Sequence, residues 1–186
     1  FRSWASHVVH HSSQHYNLST ALRQTWTGEI SGSFFFYAWM PLVGFDPLWI
    51  LTAQSISLIY QYWIHTEVIR KMPSWFELIF NTPSHHRVHH GSDLQYRDMN
   101  YAGILIVWDR MFGTFIDETK APTYGLITNI STYNPARIAF SEWGNLARDV
   151  FKASGILNKL RFIFGPPGWS PDGSTLTTDE MRKEAN

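Results

Sequence analysis

The chain has 186 residues, and 15 lysines and arginines balance 15 aspartates and glutamates. That balance argues against a nucleic-acid binder, which carries a basic excess. The absence of cysteine excludes a disulfide scaffold, a thiolate zinc site, an iron–sulfur cluster and a thiol nucleophile. Charged residues make up 16% of the chain, against about 25% in an ordinary soluble domain. The first residue is Phe1 and no stretch reads as a signal peptide, so the chain is expected to be a fragment or a processed form.

In chain order, the first chemical signal is His7-Val8-Val9-His10-His11, which reads H-x-x-H-H. On a helix, positions i, i+3 and i+4 share one face, so three imidazoles point one way. His15 lies four residues further on. It is assigned to the surface, because Tyr16-Asn17-Leu18-Ser19-Thr20 begins a turn. Before residue 67 only Arg2, Arg23, Glu29 and Asp46 are charged, a pattern that suits a lipid or buried setting.

Residues 30–45 and 47–64 are uncharged runs separated by Asp46. Eighteen helical residues span about 27 Å, close to the thickness of a bilayer core. The second run is expected to cross a membrane. The first is shorter, and Met40-Pro41 should kink it. A pair of buried helices in a soluble protein is the alternative. Arg23 and Arg70-Lys71 flank the outer ends, while the tip at Gly44-Phe45-Asp46-Pro47 carries no Lys or Arg. The positive-inside bias therefore puts both outer ends in the cytoplasm. Two crossings would return the chain to its starting face, where His65 ends the second run.

Residues 75–80 suit an interfacial segment. Thr82 as N-cap, Pro83 as first helical residue and Gly91 just past the end predict a short helix. It carries a second H-x-x-H-H, His86-Arg87-Val88-His89-His90, and His85 points about 100° away from His86. A further helix is expected over 103–115. The basic, apolar stretch 147–164, with Arg148, Lys152, Lys159 and Arg161, is expected on a bilayer surface. Residues 166–186 read as a polar, disordered tail after a domain spanning 1–165. Asn17 and Asn129 begin N-x-S patterns, which a cytoplasmic face would leave unmodified.

One box alone could be a surface cluster. Two identical boxes with an isolated His65 form a ligand set of His7, His10, His11, His65, His86, His89 and His90. Neutral imidazole suits iron, zinc, copper and nickel. Seven ligands exceed the need of one ion, so two metals are expected, and an all-nitrogen set fits iron used with dioxygen. Zinc hydrolysis is the rival, but H-E-x-x-H is absent. Glu67 is the one acid close to a histidine in sequence. It either accepts from an imidazole N–H or pairs with Arg70 or Lys71.

These boxes, with Tyr16 to Gln24, Trp63-Ile64-His65-Thr66-Glu67, Asn81 to Gly91, Asn100-Tyr101-Ala102-Gly103, Trp108 to Phe115 and Tyr124-Gly125-Leu126, resemble the fatty acid hydroxylase/sterol desaturase superfamily of membrane di-iron enzymes. Within it, the chain is most similar to the branch that cleaves alkylglycerols, over about residues 4–170, and its middle and tail resemble bacterial members. The resemblance implies an all-α integral membrane bundle with a cytoplasmic histidine-rich cap. It implies two iron ions and oxygen insertion into a lipid C–H bond. In the alkylglycerol branch the ether-bearing carbon is hydroxylated, and the hemiacetal falls apart to an aldehyde and glycerol. Tetrahydrobiopterin is the reductant there. The chain has no G-x-G-x-x-G, cysteine or haem-attachment motif, so its electrons must come from a reduced pterin or a redox partner protein. Two features depart from the family. An earlier box, H-x-x-x-H or H-x-x-x-x-H, would lie upstream of residue 1, and Ile69 stands where some members have another histidine. A desaturase of the same superfamily, and an inactive metal-binding membrane homologue, are the alternative readings.

Overall fold

The computed structural model describes residues 2–185. In chain order its helices are α1 (Arg2–His11), α2 (Leu18–Ala21), α3 (Pro47–Ile64), α4 (Ser74–Ile79), α5 (Pro83–His89), α6 (Val107–Phe112), α7 (Pro135–Lys152), α8 (Ile156–Phe164) and α9 (Thr178–Ala185). Two 3-10 turns, Ser33–Phe36 and Met40–Val43, lie between α2 and α3. No strand is present among the described residues, and two isolated antiparallel bridges pair Phe80 with Leu105 and Gly91 with Tyr124. The helical class expected from the sequence is observed.

The chain forms two compact units. The first comprises residues up to Ser12, Gln24–Ser33 and everything from Thr128 onward. Here α1 packs on α7, and α7 packs on α8. Asn134 starts α7 by accepting from the Ala136 and Arg137 N–H groups, with Pro135 pre-setting the first helical φ. Trp143 Nε1 donates to Thr27 Oγ1 at 2.8 Å, which ties the loop 24–33 to α7. The polar tail, expected to lack structure, carries α9.

The second unit comprises Ser13–Arg23 and Phe34–Ile127. Asp46 caps α3 by accepting from Leu48 N–H at 2.7 Å, with Pro47 at the first helical position. The uncharged run 30–45, expected as a short stretch kinked at Met40-Pro41, forms two 3-10 turns. Pro41 has no N–H to donate, and Gly44 at φ 97° closes the second 3-10 turn. In α3, Thr52, Gln54, Ser55, Ser57 and Gln61 interrupt the apolar residues. Among the described residues no helix is long and apolar enough to cross a membrane. The second run is thus the helix α3 over its expected bounds, but the crossing expected from its charge-free length is not shown.

The expected helix 103–115 is shorter, because it begins only at Val107 and Gly113 ends it at φ 73°. Around it, a long irregular segment is organised by buried polar groups. Asp109 accepts from the Tyr101 and Ala102 N–H groups, both at 2.8 Å, and from Thr114 Oγ1 at 2.6 Å. Asn100, at φ 53°, donates to the His85 and Ile116 carbonyls and accepts from Ile116 N–H. The Tyr96 hydroxyl accepts from the Thr119 and Lys120 N–H groups. Apart from the bond from the Thr114 hydroxyl, each satisfies a backbone group that helix or sheet would otherwise have served.

Candidate metal centre

In the first unit, α1 places His7, His10 and His11 on one face, as their spacing predicts. Ring centroids stand 5.1 Å apart for His7–His10, 4.7 Å for His7–His11 and 5.4 Å for His10–His11. One ring nitrogen each of His7 and His11 lies within 4.8 Å of the other. His10 and His11 are buried, although imidazole is a polar ring.

In the second unit, α5 is laid down by Pro83 and the preceding Thr82. Thr82 does not cap the helix with its side chain; its hydroxyl donates instead to the buried Glu77 carboxylate at 3.3 Å, beside Ser84 at 2.9 Å. Gly91 follows the helix but is not in the left-handed region. It is required by packing, since a Cβ there would meet Tyr96 Cβ and the Val88 carbonyl at 3.0 Å. From this helix His86, His89 and His90 project, and His65 at the end of α3 joins them. His65–His86 centroids are 4.3 Å apart, His65–His90 5.0 Å and His86–His90 4.8 Å. Nitrogens of these three rings lie within 4.8 Å of one another. The stacked His89 ring follows at 5.2 Å from His86.

The hydrogen bonds show which nitrogens face inward. His65 Nδ1 can only donate to the Gln61 carbonyl at 2.6 Å, which leaves Nε2 as its lone-pair atom. That Nε2 stands 3.1 Å from His86 Nε2. Two nitrogens each about 2.1 Å from a shared ion would be separated by about 2.9–3.4 Å. His89 Nδ1 likewise donates to the Met99 carbonyl, at 3.3 Å. Burial pushes the His65 imidazole down to about 4 and lowers that of His89 as well. Both rings are therefore neutral at pH 7, the state a metal requires. The residues present fit a transition-metal ion.

The other sequence candidates separate cleanly. His15 is exposed. His85 is fully buried, but its ring lies edge-on to Phe115 at 5.2 Å. Glu67 takes neither expected role and instead accepts from the Tyr124 hydroxyl at 3.3 Å. Sequence reasoning missed Tyr16, which is buried, stacks on His65 at 5.5 Å and on Tyr124 at 5.0 Å, and lies 5.2 Å from His90. It also missed Arg87, Asn100 and Asp109, whose signal was a polar residue set among box or turn residues.

Residues 1–114 match the fatty acid hydroxylase family. The chain belongs to that family. Among curated relatives, the alkylglycerol monooxygenase of Danio rerio is 48% identical over 168 residues, covering 90% of this chain and 37% of that protein. The Homo sapiens alkylglycerol monooxygenase is 45% identical over 178 residues, covering 95% of this chain and 39% of its own. That of Caenorhabditis elegans is 38% identical over 179 residues, covering 90% and 35%. The chain thus spans little more than a third of the length of these family members. No solved structure matches it.

Proposed function

We propose that this chain carries metal ligands of a membrane-bound di-iron monooxygenase that hydroxylates a lipid C–H bond, with the ether-bearing carbon of an alkylglycerol as the favoured target. The observation that carries the reading is the buried nest of His65, His86 and His90, with facing Nε2 atoms 3.1 Å apart. His7, His10, His11 and His89 complete the proposed ligand set. When bound, two irons would supply the reductive activation of dioxygen. The chain's own residues orient the ligands. The Gln61 and Met99 carbonyls hold the Nδ1 protons of His65 and His89, so that each ring presents Nε2. Tyr16 covers the His65 ring and keeps water from that side. Relatives named alkylglycerol monooxygenase support the substrate class. Insertion of one oxygen atom beside the ether oxygen gives a hemiacetal, whose C–O bond breaks to leave an aldehyde and glycerol. The second oxygen atom leaves as water, and the two electrons come from tetrahydrobiopterin or a redox partner protein.

The exposed Phe36, Trp39, Leu42, Leu48, Trp49 and Ile59 support contact between the second unit and a bilayer. The Arg70-Lys71 pair favours the cytoplasmic side for the histidines. The test is oxygen-dependent release of fatty aldehyde from a glyceryl ether by the full-length protein with a reduced pterin. His89→Ala should abolish turnover at equal expression, and His15→Ala should retain it. Near-normal activity in His89→Ala would remove the second box from the site.

A further inference from the structure

Arg87 lies in the middle of the second box, about 100° around the helix from His86. It is buried, and its five N–H groups make five hydrogen bonds. Nε donates to Glu118 Oε1 at 2.8 Å and Nη2 to Glu118 Oε2 at 2.6 Å, a two-pronged ion pair. Nη1 donates to the Thr66 carbonyl at 3.0 Å and the Ile69 carbonyl at 2.8 Å, and Nη2 to the Arg70 carbonyl at 2.6 Å. The three carbonyls belong to the segment that immediately follows His65. One side chain therefore ties α5, which bears His86, His89 and His90, to the backbone leaving His65.

We propose that Arg87 is a positioning residue: clamped by Glu118, it holds segment 66–70 against the back of α5 and so sets the separation of His65 from His86. The role rests on the metal-site reading above. The geometry explains why an arginine is needed. A lysine supplies three donors from one point and cannot serve a carboxylate fork and three carbonyls together. Glu118 keeps the guanidinium plane aimed, because both its oxygens are engaged.

The test compares wild type, Arg87→Lys and Glu118→Gln, with Lys120→Ala as a control at an exposed ion pair. Glu118→Gln preserves shape and one acceptor, so it keeps the test available if Arg87→Lys fails to fold. Two measurements are made on the purified full-length protein: Co²⁺ affinity followed by the visible cobalt bands, and amide hydrogen exchange in the metal-free protein. Both clamp variants should bind Co²⁺ about 10–100-fold more weakly with altered bands. Exchange should speed up at residues 65–70 while α7 stays as protected as in wild type. Lys120→Ala should match wild type in both. Cobalt affinity within twofold of wild type in both variants overturns the positioning role, as does unchanged exchange at 65–70. If the wild type itself takes up no cobalt, the metal reading fails with the positioning role built on it; faster exchange at 65–70 would then still establish the clamp as a purely structural one.

Discussion

The Tyr16 hydroxyl donates to the Ile64 carbonyl at 3.0 Å, joining positions 48 residues apart. Ile64 is the last residue of α3, so its carbonyl lies beyond the helical ladder and accepts instead from Thr66 N–H at 2.9 Å and from Tyr16. The Tyr16 bond is thus the second to a buried acceptor directly beside His65. Burial, with the neighbouring Tyr124 adding to it, holds the Tyr16 phenol well above its ordinary value, so the hydroxyl stays protonated and able to donate.

Tyr16→Phe should therefore keep the stack on His65 and Tyr124 and remove one of the two hydrogen bonds to the Ile64 carbonyl, leaving the one from Thr66 N–H. The expected loss is about 0.5–1.5 kcal/mol, read as a shift in the urea midpoint. Tyr16→Ala also opens a cavity beside His65 and should cost about 3–5 kcal/mol. Equal stabilities for the two variants would contradict the separate roles of ring and hydroxyl.

Metal content follows from the size of the histidine set. The full-length protein, purified in detergent after anaerobic iron loading, should hold about two irons per chain by elemental analysis. His86→Ala should lower that number, while His85→Ala should not. A preparation without any transition metal would refute the ligand assignment.

The buried imidazoles also fix the sign of the pH response. His65 titrates near 4 because burial disfavours its charged form, and burial lowers His85 and His89 too. Between about pH 6.5 and 4 the unfolded chain binds a proton at His65 that the folded chain does not, and His85 and His89 act in the same direction below about pH 6.5. Stability of the metal-free protein should consequently fall as pH drops through that window. For His65 alone the loss is about 3 kcal/mol at its lower end. Denaturant midpoints measured from pH 7.5 to 4.5 should decline, less steeply in His65→Gln. Identical slopes for the two proteins would show that His65 is not buried as described.

Gly91 tests the packing behind the second box. Gly91→Ala places a methyl 3.0 Å from Tyr96 and from the Val88 carbonyl, with no strained φ to relieve. A destabilisation of about 1–3 kcal/mol is expected by thermal unfolding. A neutral substitution would mean that Tyr96 moves aside freely, against the bonds its hydroxyl makes to Thr119 and Lys120.

The two boxes were legible because a helix turns identical spacings into identical faces, and His7, His10 and His11 needed only local chain to meet. His65 was legible as a lone histidine at the end of an apolar run, though its Gln61 partner came from helix geometry that composition does not reveal. Pro41 was legible as a kink in the run 30–45, but not that the run would break into two separate 3-10 turns, the second closed by Gly44. The clamp of Arg87 on Glu118 and the knot around Asn100 and Asp109 join residues far apart in sequence. No periodicity announces such bonds, since each rests on one donor meeting one acceptor after the chain has folded.

The helix that carries the second box, α5, has only seven residues. A helix of that length is unstable alone in water. Its shape is borrowed from the Arg87 anchors, from Asn100 holding the His85 carbonyl, and from the close seat of Gly91 on Tyr96. The motif is accordingly not portable. A graft of residues 81–91 onto a foreign helical protein would carry every histidine and lose the arrangement, whereas a graft extending from His65 to Tyr124 would bring the scaffold along with the ligands.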